Sequence, residues 1–267
     1  MATRQELTDA YSRLSVRLID AAGALAVNSF KSLGSWRDED IPRWLRIMDN
    51  GINGLKRQSV NLALGYYGEI AKLDEQQFNA VNISQASLAT SALRNGADFE
   101  TVYQRPFVDL YTALSNGKTM TEAIDAGAFR ARSLATTEIQ LARRDAGLRA
   151  RGANDRIVGY IRTLTGRENC ALCYVASTQR YRKGDLMPIH PGCDCGEQPI
   201  YGTSDPGQII DEQLLEAVHE AVEDRFGFSD RGARAIDYRM IEVRDHGELG
   251  PVLTVRGQHF DGPSSIP

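Results

Sequence analysis

The sequence predicts a mainly α-helical protein with an elongated N-terminal helical region and a small α+β module that is stapled by cysteines. Three observations indicate this fold class. Apolar residues recur at helical spacing through most of residues 1–150. From Arg156 to Leu164, β-branched and aromatic residues interrupt that pattern and favour a strand. All four cysteines lie between Cys170 and Cys195, and the rest of the chain contains none.

The composition is that of an ordinary globular chain. Its 267 residues are 42% hydrophobic and 25% charged, with a formal net charge of −4, which is close to the globular average. These values exclude global disorder, a collagen-like protein and a disulfide-dense scaffold. No uncharged apolar run reaches the roughly 18 residues of a membrane-spanning helix, and the polar N-terminus lacks the apolar core of a signal peptide. We therefore expect a soluble protein that is made in the cytoplasm.

Residues 1–118 are predicted to form a region of long helices. A capping box begins the first helix, and acidic residues with a proline in the first turn begin the second. Helices of about thirty residues span roughly 50 Å, which is longer than a compact domain needs. This length favours an assembly surface, on which we expect Trp44, Met48 and Tyr66 to be exposed on one side. The predicted helices run from Thr3 to about Phe30, from Asp38 to about Leu73 and from Phe99 to Leu114, with a loop containing some helix over 74–98.

Residues 119–201 are predicted to form the α+β module. A second capping box, Thr119-x-x-Glu122, begins a helix that extends to about Arg151. The strand from Arg156 to Leu164 follows, and Pro199 to Tyr201 is its expected partner.

Residues 202–267 are predicted to form an acidic helical C-terminal region with a short terminal strand. An amphipathic helix is expected from Asp211 to Phe226 and another from Ser229 to Val243. The terminal strand is expected from Val252 to Val255.

Charge is spread unevenly along the chain. Residues 130–190 carry 12 positive and 5 negative groups, a net +7, and residues 205–248 carry 5 positive and 12 negative groups, a net −7. Two interpretations remain open. The two segments fold onto one another, or the basic segment contacts nucleic acid or an acidic partner.

The cysteine spacing is typical of a zinc site. Cys170-x-x-Cys173 forms one knuckle, and His190-Pro-Gly-Cys193-Asp-Cys195 supplies a second. Two such knuckles complete a tetrahedral zinc site, so five candidate ligands compete for four positions. Because thiolate-rich sites with surplus ligands leave no open position for water, we expect one structural zinc ion per chain and no catalytic zinc.

The choice of ligands at the second knuckle stays open. Four thiolates would leave the site at a formal −2, which is costly to bury, whereas a neutral imidazole would leave −1. We favour Cys170, Cys173 and His190, with Cys195 ahead of Cys193 as the fourth ligand, since CxC sulfurs seldom share one ion as easily as CxxC sulfurs.

Three other patterns have simpler explanations. His219-Glu-Ala-Val-Glu223 lacks the second histidine of a metalloprotease motif and indicates a solvated helix face. Asn116-Gly-Lys-Thr119 lacks the leading glycine of a phosphate loop and is expected to connect two helices. The basic cluster is expected on a solvated or salt-bridged helix face, with phosphate contact as the alternative; it comprises Arg143, Arg144, Arg149 and Arg151.

Three motifs occur in a fixed order across 119–201. They are Ala135-Thr-Thr-Glu138 on a predicted helix, a strand from Tyr160 that leads into Cys170-x-x-Cys173, and His190-Pro-x-Cys193-x-Cys195. In order and spacing this stretch resembles the phage Mu F-like minor head proteins, the phage head morphogenesis family. The middle region would then be the head-morphogenesis module with its zinc knuckles.

The resemblance implies a structural minor capsid (head) protein of a tailed bacteriophage. Such a protein is associated with the portal and acts in head assembly and in DNA packaging or ejection. Its place is the virion, at the portal end of the capsid, where several copies are present. Its partners are the portal protein and other capsid proteins, and packaged DNA is a further contact. No catalytic residue is expected, because no nucleophile and base are recognisable after Tyr201. The alternatives are a DNA-binding virion protein and a zinc-dependent hydrolase or capsid maturation protease.

Overall fold

The computed structural model describes residues 2–80, 94–164, 171–189, 193–202, 212–227 and 241–257. Within these residues the chain is mainly helical with two small sheets, which confirms the predicted fold class. The helices are α1 (Arg4–Lys31), α2 (Ile41–Leu73), α3 (Phe99–Ser115), α4 (Met120–Gly152), α5 (Ala171–Ser177) and α6 (Glu212–Phe226). The strands are β1 (Ile157–Thr163), β2 (Arg180–Arg182), β3 (Gly196–Tyr201), β4 (Ile241–His246) and β5 (Gly250–Val255).

Both predicted capping boxes are present and fix where α1 and α4 begin. The Thr3 hydroxyl accepts a hydrogen bond from the Glu6 amide, and the Glu6 carboxylate accepts one from the Thr3 amide at 2.8 Å. Thr119 and Glu122 make the same reciprocal pair. Each box satisfies backbone donors that a helix N-terminus would otherwise leave unpaired.

An aromatic core joins the first three helices. Trp44 of α2 is fully buried and meets Phe30 of α1 and Phe107 of α3 edge-on, with 5.6 Å between ring centroids in both pairs. Its indole N–H donates to the Ser29 hydroxyl at 3.1 Å. Helix α4 approaches this core through Gly127, where a Cβ would lie only 2.6 Å from the Phe30 ring. The glycine therefore permits a close crossing of helices.

A second core connects the helices to the sheet. The rings of Tyr11 and Tyr66 stack with centroids 4.2 Å apart, and both pack with alanines of α4 and with Tyr201 of β3. Trp44, Met48 and Tyr66 are all buried in these two cores. The expectation that these three side chains are exposed is therefore wrong, because neighbouring helices cover them.

The two sheets are antiparallel and small. The first has the order β2-β1-β3, with Tyr160 opposite Tyr181 on one side and Pro199 on the other. The second is the β4–β5 hairpin, which pairs Val243 with Leu253. Ile189 joins the hairpin to the module by a parallel bridge, in which the Leu253 amide donates to the Ile189 carbonyl at 2.8 Å.

Several predicted boundaries change. The helix expected from Ser229 to Val243 is contradicted at its end, because Ile241–His246 is strand β4; its residues 229–240 lie outside the described residues. In the predicted loop over 74–98, the described residues 74–80 and 94–98 are not helical. The division into regions 1–118, 119–201 and 202–267 stays a prediction. None of the helices in the described ranges has the length and apolar character that crossing a membrane requires.

Candidate metal centre

Three cysteine sulfurs converge at one buried point. Cys173 lies in α5, and Cys193 and Cys195 immediately precede β3. Their sulfur atoms all lie within 4.8 Å of one another, with 3.6 Å between Cys173 and Cys193. Thiolates about 2.3 Å from a tetrahedral ion lie roughly 3.8 Å apart. The sulfurs are therefore spaced as ligands of a single metal ion.

Sheet pairing brings the two cysteine segments together. Thr163 ends β1 and pairs with Gly196, which begins β3 directly after Cys195. The segment after β1 leads to α5 and Cys173, so both ligand segments start from the same edge of the sheet. A Cβ at Gly196 would lie 2.8 Å from the Thr163 hydroxyl and 3.1 Å from the Tyr11 ring. Glycine thus allows β3 to enter the sheet beside α1.

Of the five predicted ligands, the structure brings three together. Cys173, Cys193 and Cys195 form the cluster, whereas Cys170 and His190 lie outside the described residues. Both sulfurs of the CxC pair lie beside Cys173, so the preference for Cys195 over Cys193 as a ligand stays a prediction. The Arg143 guanidinium binds the carbonyls of Asp194 at 3.1 Å and Cys195 at 2.6 Å, which fixes the segment that carries these two sulfurs.

The cluster is enclosed. Cys173 and Cys195 are 0% exposed and Cys193 is 3% exposed. Hydrogen bonding with Cys173 lowers the pKa of the Cys195 thiol, but hydrogen bonding with Cys193 and burial outweigh it and raise that pKa to about 12.

No family model, curated protein or solved structure matches this chain. The cluster of three buried cysteines is compatible with a metal site because of its geometry.

A buried arginine that the sequence pattern did not indicate faces the sulfurs. Arg162 of β1 is 2% exposed, and its Nη1 lies 3.5 Å from the Cys193 sulfur. Its Nη2 donates to the Pro188 carbonyl. Burial lowers the pKa of the Arg162 guanidinium, but the charges of the three cysteines outweigh it and hold that pKa well above its ordinary value. No local signal distinguishes Arg162, because an arginine in a short strand is ordinarily exposed.

The arginine cluster of α4 is mostly buried instead of solvated. Arg143, Arg144 and Arg151 are at most 5% exposed, and Arg149 alone of the four is on the surface, paired with Asp145. Arg144 donates to backbone carbonyls of the β4–β5 hairpin. The expectation of a solvated or salt-bridged face is therefore wrong for Arg143 and Arg144, which are buried against backbone carbonyls, whereas Arg149 and Arg151 do form ion pairs.

Arg151 forms the centre of a buried polar network. It pairs with Glu197 of β3, whose carboxylate also accepts a hydrogen bond from the Tyr67 hydroxyl at 2.7 Å. The guanidinium lies 3.9 Å from the centre of the Tyr160 ring and donates to the carbonyl of Asp185 at 2.9 Å. This network fixes α4 against the sheet whose strand β3 begins directly after Cys195.

The remaining sequence patterns do not contribute to the cluster. His219 is buried on α6, where the neighbouring Val218 packs against α5. Among the described residues, the cysteines form the one group of potential metal ligands found, and His219 is not in it. Gly117 has a positive φ of 78° in the turn between α3 and α4, so residues 116–119 connect two helices, as predicted.

Proposed function

We propose that this protein is a structural minor head protein of a tailed bacteriophage and that one zinc ion staples its α+β module. The observation that carries the zinc assignment is the convergence of three buried sulfurs within 4.8 Å. Zinc accepts thiolate ligands in a closed tetrahedral site. The fourth position falls to Cys170 or His190, which lie three residues before Cys173 and Cys193 respectively.

A structural role fits this centre better than a catalytic one. Catalytic zinc keeps one coordination position open to water and substrate, whereas these sulfurs are at most 3% exposed. The sulfurs also tie together α5 and the start of β3, which are separated by about twenty residues of chain. A metal ion there adds its binding free energy to the stability of the fold.

The assignment to a phage head is supported by the order of the three motifs and by the way two of them are used. Glu138, which ends the Ala-Thr-Thr-Glu motif, is buried and binds Lys56 at 3.3 Å and Arg94 at 3.0 Å. Tyr160, which begins the strand motif, is fully buried under Arg151. Glu138 therefore holds the N-terminal helical region to the module, and Tyr160 holds strand β1 to α4, as expected of a rigid assembly component.

The surface of the long helices offers contacts for assembly. Val108 of α3 is 59% exposed and Phe129 of α4 is 66% exposed. We propose that this helical region contacts the portal protein and other capsid proteins. No specific observation favours the DNA-binding alternative, since most of the α4 arginines are buried, and none favours the hydrolase alternative.

Metal analysis tests the zinc assignment. The full chain, purified under reducing conditions, should contain one equivalent of zinc. Cys173→Ser should lose it and lose the fold of the module, whereas Ser177→Ala on the same helix should retain both. Zinc well below one equivalent in the wild-type chain would overturn the assignment.

Binding to the portal protein of the same phage tests the assembly role. The full chain should co-sediment with assembled portal, and labelling should locate it at the portal end of the head. Phe129→Ser should weaken this binding, whereas Val158→Ser, at a comparably exposed site on β1, should not. A chain that stays a monodisperse monomer and does not bind the portal protein would contradict the proposal.

A further inference from the structure

The buried cation Arg162 differs from the buried arginines that form ion pairs, and it differs from Arg143 and Arg144 because one of its acceptors is a sulfur atom. Arg151 pairs with the carboxylate of Glu197, and Arg94 pairs with Glu138 and Glu248. Arg162 instead directs one N–H at the Cys193 sulfur and another at the Pro188 carbonyl. A buried guanidinium is strongly unfavourable unless anionic or strongly accepting groups surround it. The groups that can carry the compensating charge here are the sulfurs.

The charge of the proposed metal centre favours a nearby cation of this kind. Zinc bound by three thiolates and a neutral histidine carries −1, and zinc bound by four thiolates carries −2. Because the cluster is almost completely excluded from water, this negative charge cannot be offset by solvent. The Arg162 guanidinium, whose Nη1 lies 3.5 Å from a ligand sulfur, adds one positive charge and so offsets one negative charge of the site.

We propose that Arg162 is the positioning residue of the metal centre, which donates a hydrogen bond to the metal-bound thiolate of Cys193 and offsets one of its negative charges. The inference rests on the metal centre proposed above. Arginine suits this position because its planar guanidinium can donate in two directions at once and stays charged when buried. Residues that orient the ligands of a metal in this way affect its binding strongly without touching it.

The second donor of Arg162 has a distinct consequence. Pro188 immediately precedes Ile189, which is bridged to β5, and is five residues from Cys193. Binding of its carbonyl therefore holds the loop that leads into the second knuckle at a fixed distance from β1. One side chain thus orients a ligand and the segment that delivers the ligands.

The test compares Arg162→Met and Arg162→Lys with the control Arg182→Met, which removes an exposed arginine on the adjacent strand β2. Zinc affinity of the full chain is measured by competition with a chelator. The zinc is then exchanged for cobalt, and the thiolate-to-cobalt charge-transfer band is recorded. A hydrogen bond to a thiolate stabilises the sulfur electrons, so its loss moves this band to lower energy.

Arg162→Met should bind zinc about 10–100-fold more weakly and shift the charge-transfer band to lower energy, with the ligand-field bands of a tetrahedral site unchanged. Arg162→Lys, which keeps the charge, should recover part of the affinity and of the band position. Arg182→Met should match the wild type. If Arg162→Met does not fold, the test rests on Arg162→Lys. Its charge-transfer band should then lie at lower energy than the wild-type band.

Two outcomes would overturn the inference. Wild-type affinity and an unshifted band in Arg162→Met would remove the role of Arg162 and leave the metal centre intact. Equal losses in both variants with unshifted bands would assign Arg162 to the fold alone. A wild-type chain that takes up neither zinc nor cobalt would instead overturn the metal centre itself.

Discussion

Gly147 of α4 leaves the space that the buried carboxylate of Glu197 occupies. A Cβ at this position would lie 1.6 Å from the Glu197 Oε1 atom and 2.6 Å from its Cδ atom. Such contacts are impossible, so Gly147→Ala must move the carboxylate. The same oxygen accepts the hydrogen bonds of Tyr67 and Arg151, and the displacement therefore disrupts the ion pair that fixes α4 to the sheet.

The two effects of Gly147→Ala oppose each other. Breaking a buried ion pair costs about 3–5 kcal/mol, because the remaining charge is left buried. Replacing a mid-helix glycine by alanine gains roughly 1 kcal/mol of helix propensity. We therefore expect the free energy of unfolding to fall by about 2–4 kcal/mol, since the electrostatic loss exceeds the gain.

Urea denaturation followed by circular dichroism measures this effect. Gly65→Ala in α2 is the matched control, because nothing lies within 4 Å of its added Cβ, and it should stabilise the chain by roughly 0.5–1 kcal/mol. In a Glu197→Ala background, Gly147→Ala should lose most of its cost, since the clashing atoms are gone. A Gly147→Ala variant as stable as Gly65→Ala would refute the reasoning.

Three further predictions concern other parts of the molecule. Thr119→Ala removes the hydroxyl of the second capping box and should lower the free energy of unfolding by about 1 kcal/mol in thermal denaturation, while Thr112→Ala within α3 should change it much less. Trp44→Ala empties the aromatic core and should cost about 3–5 kcal/mol in urea denaturation. Burial raises the pKa of Glu248, but Arg105 and Arg94 outweigh it and hold that pKa below its ordinary value of 4.5. The stability contributed by Glu248 is therefore present above pH 4.5 and is lost as the pH falls through the lower folded pKa. Glu248→Gln should accordingly be less stable than the wild type at pH 7. The difference between their urea midpoints should shrink as the pH is lowered.

The sequence predicts the long helices well because their signals are local. Thr3 and Thr119 each lie three residues before the glutamate that completes a capping box, and this local pattern marks the start of the helix. The short elements give no such signal. Helix α5 has seven residues and strand β2 has three, which is too few for a periodic pattern to emerge.

The buried charges could not be predicted for a different reason. Arg143 and Arg144 look like solvent-exposed residues when α4 is considered alone. Their acceptors are carbonyls that lie 43 to 107 residues further along the chain. The same distant contact, from Arg143 to the carbonyl of Cys195, fixes the segment in which both CxC sulfurs approach Cys173. A local spacing rule cannot include such a partner.

The β4–β5 hairpin has a consequence for biosynthesis. Glu248 binds Arg94 across 154 residues of sequence and Arg105 across 143, and Leu253 is hydrogen-bonded to Ile189 beside the second knuckle. These contacts cannot form on the ribosome until residues 241–255 have emerged. The helical region can fold during translation, but the module is closed only after this late segment returns to it.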